Sequence, residues 1–132
     1  MMETRINCSA SGLLLRTVMI MVVEQHQCAR ASLSELLSDR GHRVIQAADA
    51  AEAIERIDET VSIEVILLDL EIAGSAHVIK HVRTMAPKVI VFGMSRRDAV
   101  RNERESLDGF FCKPLEFQEL YREICSAAMR AD

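Results

Sequence analysis

The run Val65-Ile66-Leu67-Leu68 ends on one carboxylate, Asp69, and constrains the fold more than any other stretch of the chain. An unbroken apolar run of β-branched residues and leucine suits a strand covered on both faces, as in a parallel sheet. An ionised carboxylate inside such a strand is too costly to desolvate, so Asp69 belongs at the strand's end. In open α/β sheets, ligand chemistry gathers at the carboxyl ends of the strands. Asp69 therefore reads either as a reactive group or as a cap for the loop that follows.

A chain of 132 residues suits one domain. A domain of that length buries roughly two-thirds of its unfolded surface and needs no disulfide or metal to fold. With 16 basic and 20 acidic residues the net charge is −4, which gives no argument for direct nucleic acid binding. The one dense basic cluster, Arg96, Arg97, Arg101 and Arg104, is interleaved with Asp98, Glu103 and Glu105 and reads as a solvated helix face. Cys8, Cys28, Cys112 and Cys125 form no CxxC pair and suggest no disulfide framework. Reduced thiols in a cytoplasmic protein are the simplest reading, with Cys112 expected buried and inert. Leu13-Leu14-Leu15 and the run from Val18 to Val23 faintly resemble a signal sequence, but Arg16 interrupts them and the apolar stretch is too short to cross a bilayer. No membrane segment is expected.

Residues 1–16 are aperiodic and are expected to form a flexible N-terminal extension to a domain over 17–132. Val18 to Val23 is a second buried strand, again followed by an acid, Glu24. From Cys28 to Arg40 the period turns helical, with Ala29, Leu33, Leu36 and Leu37 on one face. Gly41 sits where a helix end often needs a left-handed backbone. A short strand over 44–47 precedes Asp49, which is placed to cap a helix from Ala50 to Glu59 with Ala53, Ile54 and Ile57 inward. After the Asp69 strand and a loop, Val78, Ile79 and Val82 mark a third helix that stops before Pro87. Val89 to Phe92 is a fourth strand ended by Gly93, and residues 97–107 read as a weakly amphipathic fourth helix. Gly109 to Cys112 is a fifth strand running into Lys113-Pro114, and a fifth helix spans Glu116 to Arg130. His26 and His77 are expected in loops as solvated histidines, and Met19, Met21 and Met94 as core filler. Five βα units predict an α/β, doubly wound, five-stranded parallel sheet with helices on both faces.

Such a sheet brings Glu24-Gln25, Asp69 and Lys113-Pro114 to one edge. Two carboxylates, an amide and an ammonium in one cleft suit a divalent cation together with an anion. Mg²⁺ takes hard oxygen ligands and keeps its waters, so one or two carboxylates suffice. Lys113 is placed to neutralise a transferring group, and Asp69 to serve as a nucleophile of the kind that forms aspartyl phosphates.

On these residues the chain resembles the receiver domains of two-component response regulators, whose fold is flavodoxin-like (CheY-like). The similarity runs from Thr17 to Arg130 and rests most on Val65-Ile66-Leu67-Leu68-Asp69-Leu70 and Phe110-Phe111-Cys112-Lys113-Pro114-Leu115. It implies that Asp69 is phosphorylated by a partner histidine kinase or phosphotransfer protein, and that Lys113 contacts the phosphoryl group. It implies a cis Lys113–Pro114 bond, with Mg²⁺ held by Glu24, Gln25, Asp69 and the backbone carbonyl of Glu71. The only reaction implied is self-phosphotransfer, not enzymatic turnover. The output would be a changed interaction face on the fourth helix, fifth strand and fifth helix, for a partner or a second copy.

The chain departs from the family pattern at defined positions. The usual pair of acids after strand one is Glu24-Gln25, which lacks one charge and should weaken the metal site. Gly93 stands where the family has a switch Thr or Ser, so Gly93→Thr is expected to restore a hydroxyl donor. Ser95, two residues on, would reach the same side only by an unusual loop path. Phe110 takes the place of the aromatic gate without a tyrosine hydroxyl. Ala73 replaces a common proline. These changes leave a second reading open: a phosphorylation-independent pseudo-receiver that works as an interaction or dimerisation module.

Overall fold

The computed structural model describes residues 16–96 and 106–131. In chain order the elements are β1 (Met19–Val23), α1 (Gln27–Asp39), β2 (Arg43–Ala47), α2 (Ala50–Glu59), β3 (Val65–Asp69), α3 (Ser75–Met85), β4 (Ile90–Ser95), β5 (Gly109–Cys112) and α4 (Phe117–Ala131). The five strands are all parallel, in the order β2-β1-β3-β4-β5. Four of the five expected helices are described, and α4 is the last of them. Of the fourth helix expected over 97–107, residues 97–105 lie outside the described residues, and so do residues 1–15 of the extension expected over 1–16.

The central strands are apolar because both faces are covered. Along β1 and the residue before it, Val18, Ile20 and Val22 join one core cluster, while Met19, Met21 and Val23 join the other. This is the two-residue alternation of a strand written in burial. The first cluster lies under α1 and α4, where Leu33, Leu37, Leu120 and Ile124 meet Leu67, Phe92 and Met94. The second lies under α2 and α3, where Ala53, Ile57, Val78 and Val82 meet Ile66, Leu68 and Val91. A fully buried Ile or Leu contributes about 1.5–3 kcal/mol over its exposed state, so the central strands hold the sheet in register.

Local chemistry sets the element ends. Asp49 Oδ1 accepts the Glu52 N–H at 2.8 Å and starts α2, as its position before Ala50 predicts. Gly41 follows α1 with φ +90°, the left-handed conformation expected there.

Four expectations need correction. The inward face of α1 is Leu33, Ser34 and Leu37, whereas Ala29 and Leu36 are exposed. The helix is turned by about one residue, so Leu36 faces a surface cleft instead of the sheet. β4 does not end at Gly93 but runs on to Ser95. Its backbone pairs on both sides there, with Gly93 opposite Leu68 and Phe110, and ladder hydrogen bonds do not depend on a side chain. Cys112 is exposed because it closes an edge strand. His77 lies on the exposed side of α3, not in a loop.

One buried polar pair has no periodic signature and escapes sequence reading. His42, following α1, accepts the Val18 N–H on Nδ1 at 3.1 Å, which leaves Nε2 to donate to Tyr121 Oη on α4. Burial, and then the charges of Arg16 and Arg40, push the His42 pKa below its ordinary value, with Glu64 opposing. Protonation would put a second donor against the Val18 N–H. In the unfolded chain the imidazole protonates near pH ~6.5, while the folded state resists. Stability is therefore full above that pH and declines as pH falls below it. We expect the urea midpoint to drop between pH 7.5 and 5.5, and to drop less in His42→Gln. Equal slopes in both proteins would remove His42 as the cause.

Candidate functional site

Three strands deliver three ionisable side chains to the carboxyl edge of the sheet. Asp69 is the last residue of β3 and is 1% exposed. Glu24 directly follows β1 and is 2% exposed. Lys113 directly follows β5, and its backbone N–H donates to the Ser95 carbonyl at 2.8 Å, which seats it beside the end of β4. The Lys113–Pro114 peptide is cis, as the resemblance implies. Lys113 Nζ lies 2.6 Å from Glu24 Oε1 and 3.5 Å from Asp69 Oδ2. The ammonium thus bridges both carboxylates but leans toward Glu24, whose extra methylene carries the carboxylate out to it.

Both carboxylates are further held by backbone donors. Asp69 Oδ1 accepts the Glu71 N–H at 2.9 Å. Glu24 Oε2 accepts the His26 N–H at 3.0 Å at the start of α1, and the Glu24 carbonyl accepts from Arg30 at 2.8 Å. The Asp69 pKa is raised: burial pushes it up, the Glu24 charge adds to this, and the Glu71 amide and Lys113 offset only part. Glu24 goes the other way. Burial alone would raise it, but the Lys113 hydrogen bond and charge and the His26 amide together lower it.

The donors fit a hard divalent cation in kind but are few. Two buried carboxylates facing one ammonium leave an uncompensated negative charge, and the Glu71 carbonyl follows Asp69 by two residues. Gln25 is exposed and neutral. Among the described residues no group of three or more His, Cys, Asp or Glu is placed to hold a metal. Mg²⁺ needs only one or two carboxylates and fills its shell with water, so Glu24 and Asp69 remain a chemically suitable pair.

The end of β4 departs from the sequence expectation. Gly93 has no side chain, and the space a Cβ would enter is filled: such an atom would lie 2.7 Å from Leu107 Cδ1 and 2.9 Å from Leu70 Cδ1. Phe110, opposite Gly93, is half-buried against the same cluster. Ser95 needs no unusual loop path. The strand continues, so two residues bring it back to the side of Gly93. Its Oγ donates to Glu71 Oε2 at 3.1 Å, and the Arg96 N–H donates to the same oxygen at 2.6 Å. The Arg96 amide above all holds the exposed Glu71 carboxyl below its usual range; burial opposes it, and Ser95 and the charges of Lys113 and Arg96 add to the lowering. Sequence reasoning used Glu71 only for its carbonyl, and an acid two residues after Asp69 gave no signal of this contact.

Beside the carboxylates, between α1 and the segment from β5 to α4, lies a cleft of 740 Å³. Its walls include Leu33, Leu36, Leu115 and Phe117, and Lys113 and Glu24 stand at its polar end.

The profile of the response regulator receiver domain matches residues 20–125. No curated protein matches the chain in sequence. Among solved structures, a CheY-like receiver domain protein from Methanospirillum hungatei is 16% identical, with a TM-score of 0.81 over 87% of this chain and 96% of that one. The response regulator TrrA from Thermotoga maritima, solved in complex with Mg²⁺ and BeF, is 20% identical, with a TM-score of 0.76 over 84% of this chain and 99% of that one. NtrX from Brucella abortus is 20% identical, with a TM-score of 0.73 over 86% of this chain but 26% of that one. At such identities the structural likenesses speak for the fold, which is CheY-like. The profile match covers most of the chain, which therefore belongs to the response regulator receiver domain family of two-component systems.

The packing over Gly93 sets a steric cost on Gly93→Thr. A side chain there must displace Leu70 and Leu107 before its hydroxyl reaches anything. Overpacking of this kind costs about 1–3 kcal/mol, and we expect a loss of that size in urea denaturation. A variant as stable as the wild type would mean that the two leucines make room.

Proposed function

We propose that this receiver domain accepts a phosphoryl group on Asp69 from a phosphohistidine of a partner histidine kinase or phosphotransfer protein. The observation that carries this is a buried carboxylate at the end of β3 with an ammonium 3.5 Å from its Oδ2. In the transfer, an Asp69 oxygen attacks phosphorus and the phosphorus–nitrogen bond of the donor breaks. The electron pair goes to the imidazole nitrogen, which takes up a proton, and Asp69 becomes an acyl phosphate. The domain turns over no other substrate. Asp69 is reached past Lys113, so the ammonium swings from Glu24 toward the incoming phosphoryl oxygens and offsets their charge. Glu24, Asp69 and the Glu71 carbonyl would hold Mg²⁺, with Gln25 adding at most a neutral oxygen. When bound, the ion supplies positive charge to the transferring group. The cleft along α1, apolar with a charged end at the acceptor, suits a helix that carries the donor histidine.

We read the protein as cytoplasmic. No helix among the described residues is long and apolar enough to cross a membrane. The interaction face proposed for the output, whether for a partner or a second copy, includes β5 and α4; its remaining part falls at 97–105. The second reading, a pseudo-receiver whose contacts do not depend on phosphorylation, is favoured by one observation: leucines fill the space a side chain at Gly93 would enter.

Incubation with acetyl phosphate and Mg²⁺, read by intact mass, separates the two. We expect a gain of one phosphoryl group in the wild type and none in Asp69→Asn. Gln25→Asp should tighten Mg²⁺ binding about tenfold in calorimetry by restoring one carboxylate. No mass gain in the wild type from acetyl phosphate or from a phosphorylated kinase would favour the pseudo-receiver. Equal labelling of Asp69→Asn would move the acceptor elsewhere.

A further inference from the structure

At the end of β4, one oxygen of one acid accepts two donors. Glu71 Oε2 accepts both the Ser95 hydroxyl, at 3.1 Å, and the Arg96 N–H, at 2.6 Å. Glu71 is in turn tied to the acceptor, because its own N–H donates to Asp69 Oδ1 at 2.9 Å. The neighbouring Leu70 N–H donates to the Met94 carbonyl at 2.8 Å, and the Lys113 N–H to the Ser95 carbonyl at 2.8 Å. A continuous set of hydrogen bonds therefore runs from Asp69 through Glu71 to Ser95 and Arg96. Gly93 has no hydroxyl to sense a group on Asp69, and Leu70 and Leu107 close the space above it. The Glu71 carboxylate is the charged side chain that joins the acceptor loop to the end of β4.

We infer that Glu71 is a latch that holds Ser95 and Arg96 in the unmodified protein and lets them go when Asp69 carries a phosphoryl group. This rests on the acceptor role proposed for Asp69. A phosphoryl group brings about 1.5–2 negative charges at neutral pH, and like charges two residues apart repel. The Glu71 amide already faces Asp69, so the loop cannot carry Glu71 away without giving up that bond. The side chain is the part free to turn outward. Once it has turned, the Ser95 hydroxyl and the Arg96 amide lose their shared acceptor. The switch would thus work by release of a charged tether, and it needs no hydroxyl at Gly93.

Amide hydrogen exchange at Arg96, followed by NMR alongside intact mass, tests the latch in two independent arms. In the unmodified protein, Glu71→Ala should speed Arg96 exchange about tenfold, the effect of losing a hydrogen bond to a charged acceptor. No change there overturns the latch whatever the phosphorylation state. In the second arm, acetyl phosphate and Mg²⁺ are added and the mass gain is checked first. Phosphorylated wild type should exchange at Arg96 as fast as unmodified Glu71→Ala. Phosphorylated Glu71→Gln, which keeps the acceptor oxygen but not the charge, should keep Arg96 protected. Mass gain with unchanged Arg96 exchange in the wild type overturns the release while leaving Asp69 as acceptor. Release in Glu71→Gln equal to that in the wild type overturns repulsion as its cause. Failure to gain mass overturns the acceptor role and the release with it, and the first arm still decides whether the tether exists.

Discussion

The site depends on one ammonium set between two buried carboxylates. Glu24 and Asp69 are almost wholly removed from water. Burial alone raises both pKa values, and opposite charge or donated hydrogen bonds must offset it. Lys113 supplies the compensation unevenly: 2.6 Å to one acid and 3.5 Å to the other. The result is a differentiated pair, with the Glu24 pKa lowered and the Asp69 pKa raised. Parallel strand order makes this possible, since β1, β3 and β5 all present their carboxyl ends to one edge. A fold with antiparallel neighbours would send one of the three residues to the far side of the sheet.

The architecture was largely legible from the residues, and for a simple reason. Runs such as Val65–Leu68 admit few environments, and the helix start signal Asp49 and stop signal Gly41 act locally. Asp69, Lys113 and Glu24 were legible as well, because a polar residue that ends a buried strand in a parallel sheet has one edge to go to. Gly93 as the end of β4 was misjudged. Glycine is poor in isolated strands, but here two neighbouring strands fix the backbone and two leucines from elsewhere in the chain fill the missing volume. The inward face of α1 was off by about one residue, because Leu36 covers a cleft and not the sheet. The His42–Tyr121 pair and the Glu71 contacts join residues distant in sequence through single hydrogen bonds, and no periodicity records such contacts.

These misreadings bear on how the molecule communicates. A receiver needs a mechanical link from its acceptor to a surface. In this chain the hydroxyl at the end of β4 is that of Ser95, and it donates to an acid from the acceptor loop. Apolar side chains pack over Gly93, while Ser95 and Arg96 donate hydrogen bonds to a single carboxylate oxygen. Close packing beside a polar contact that can re-pair is the arrangement from which a two-state element is built.

The central claim is that Asp69 itself takes the phosphoryl group. Borohydride reduction of protein treated with acetyl phosphate and Mg²⁺ tests it most directly, because an acyl phosphate on aspartate is reduced to homoserine while a free carboxylate is not. Peptide sequencing by mass spectrometry should find homoserine at position 69 and unmodified acids at Glu24 and Glu71. Reduction products at another acid, or none in a protein that carries the label, would contradict the claim.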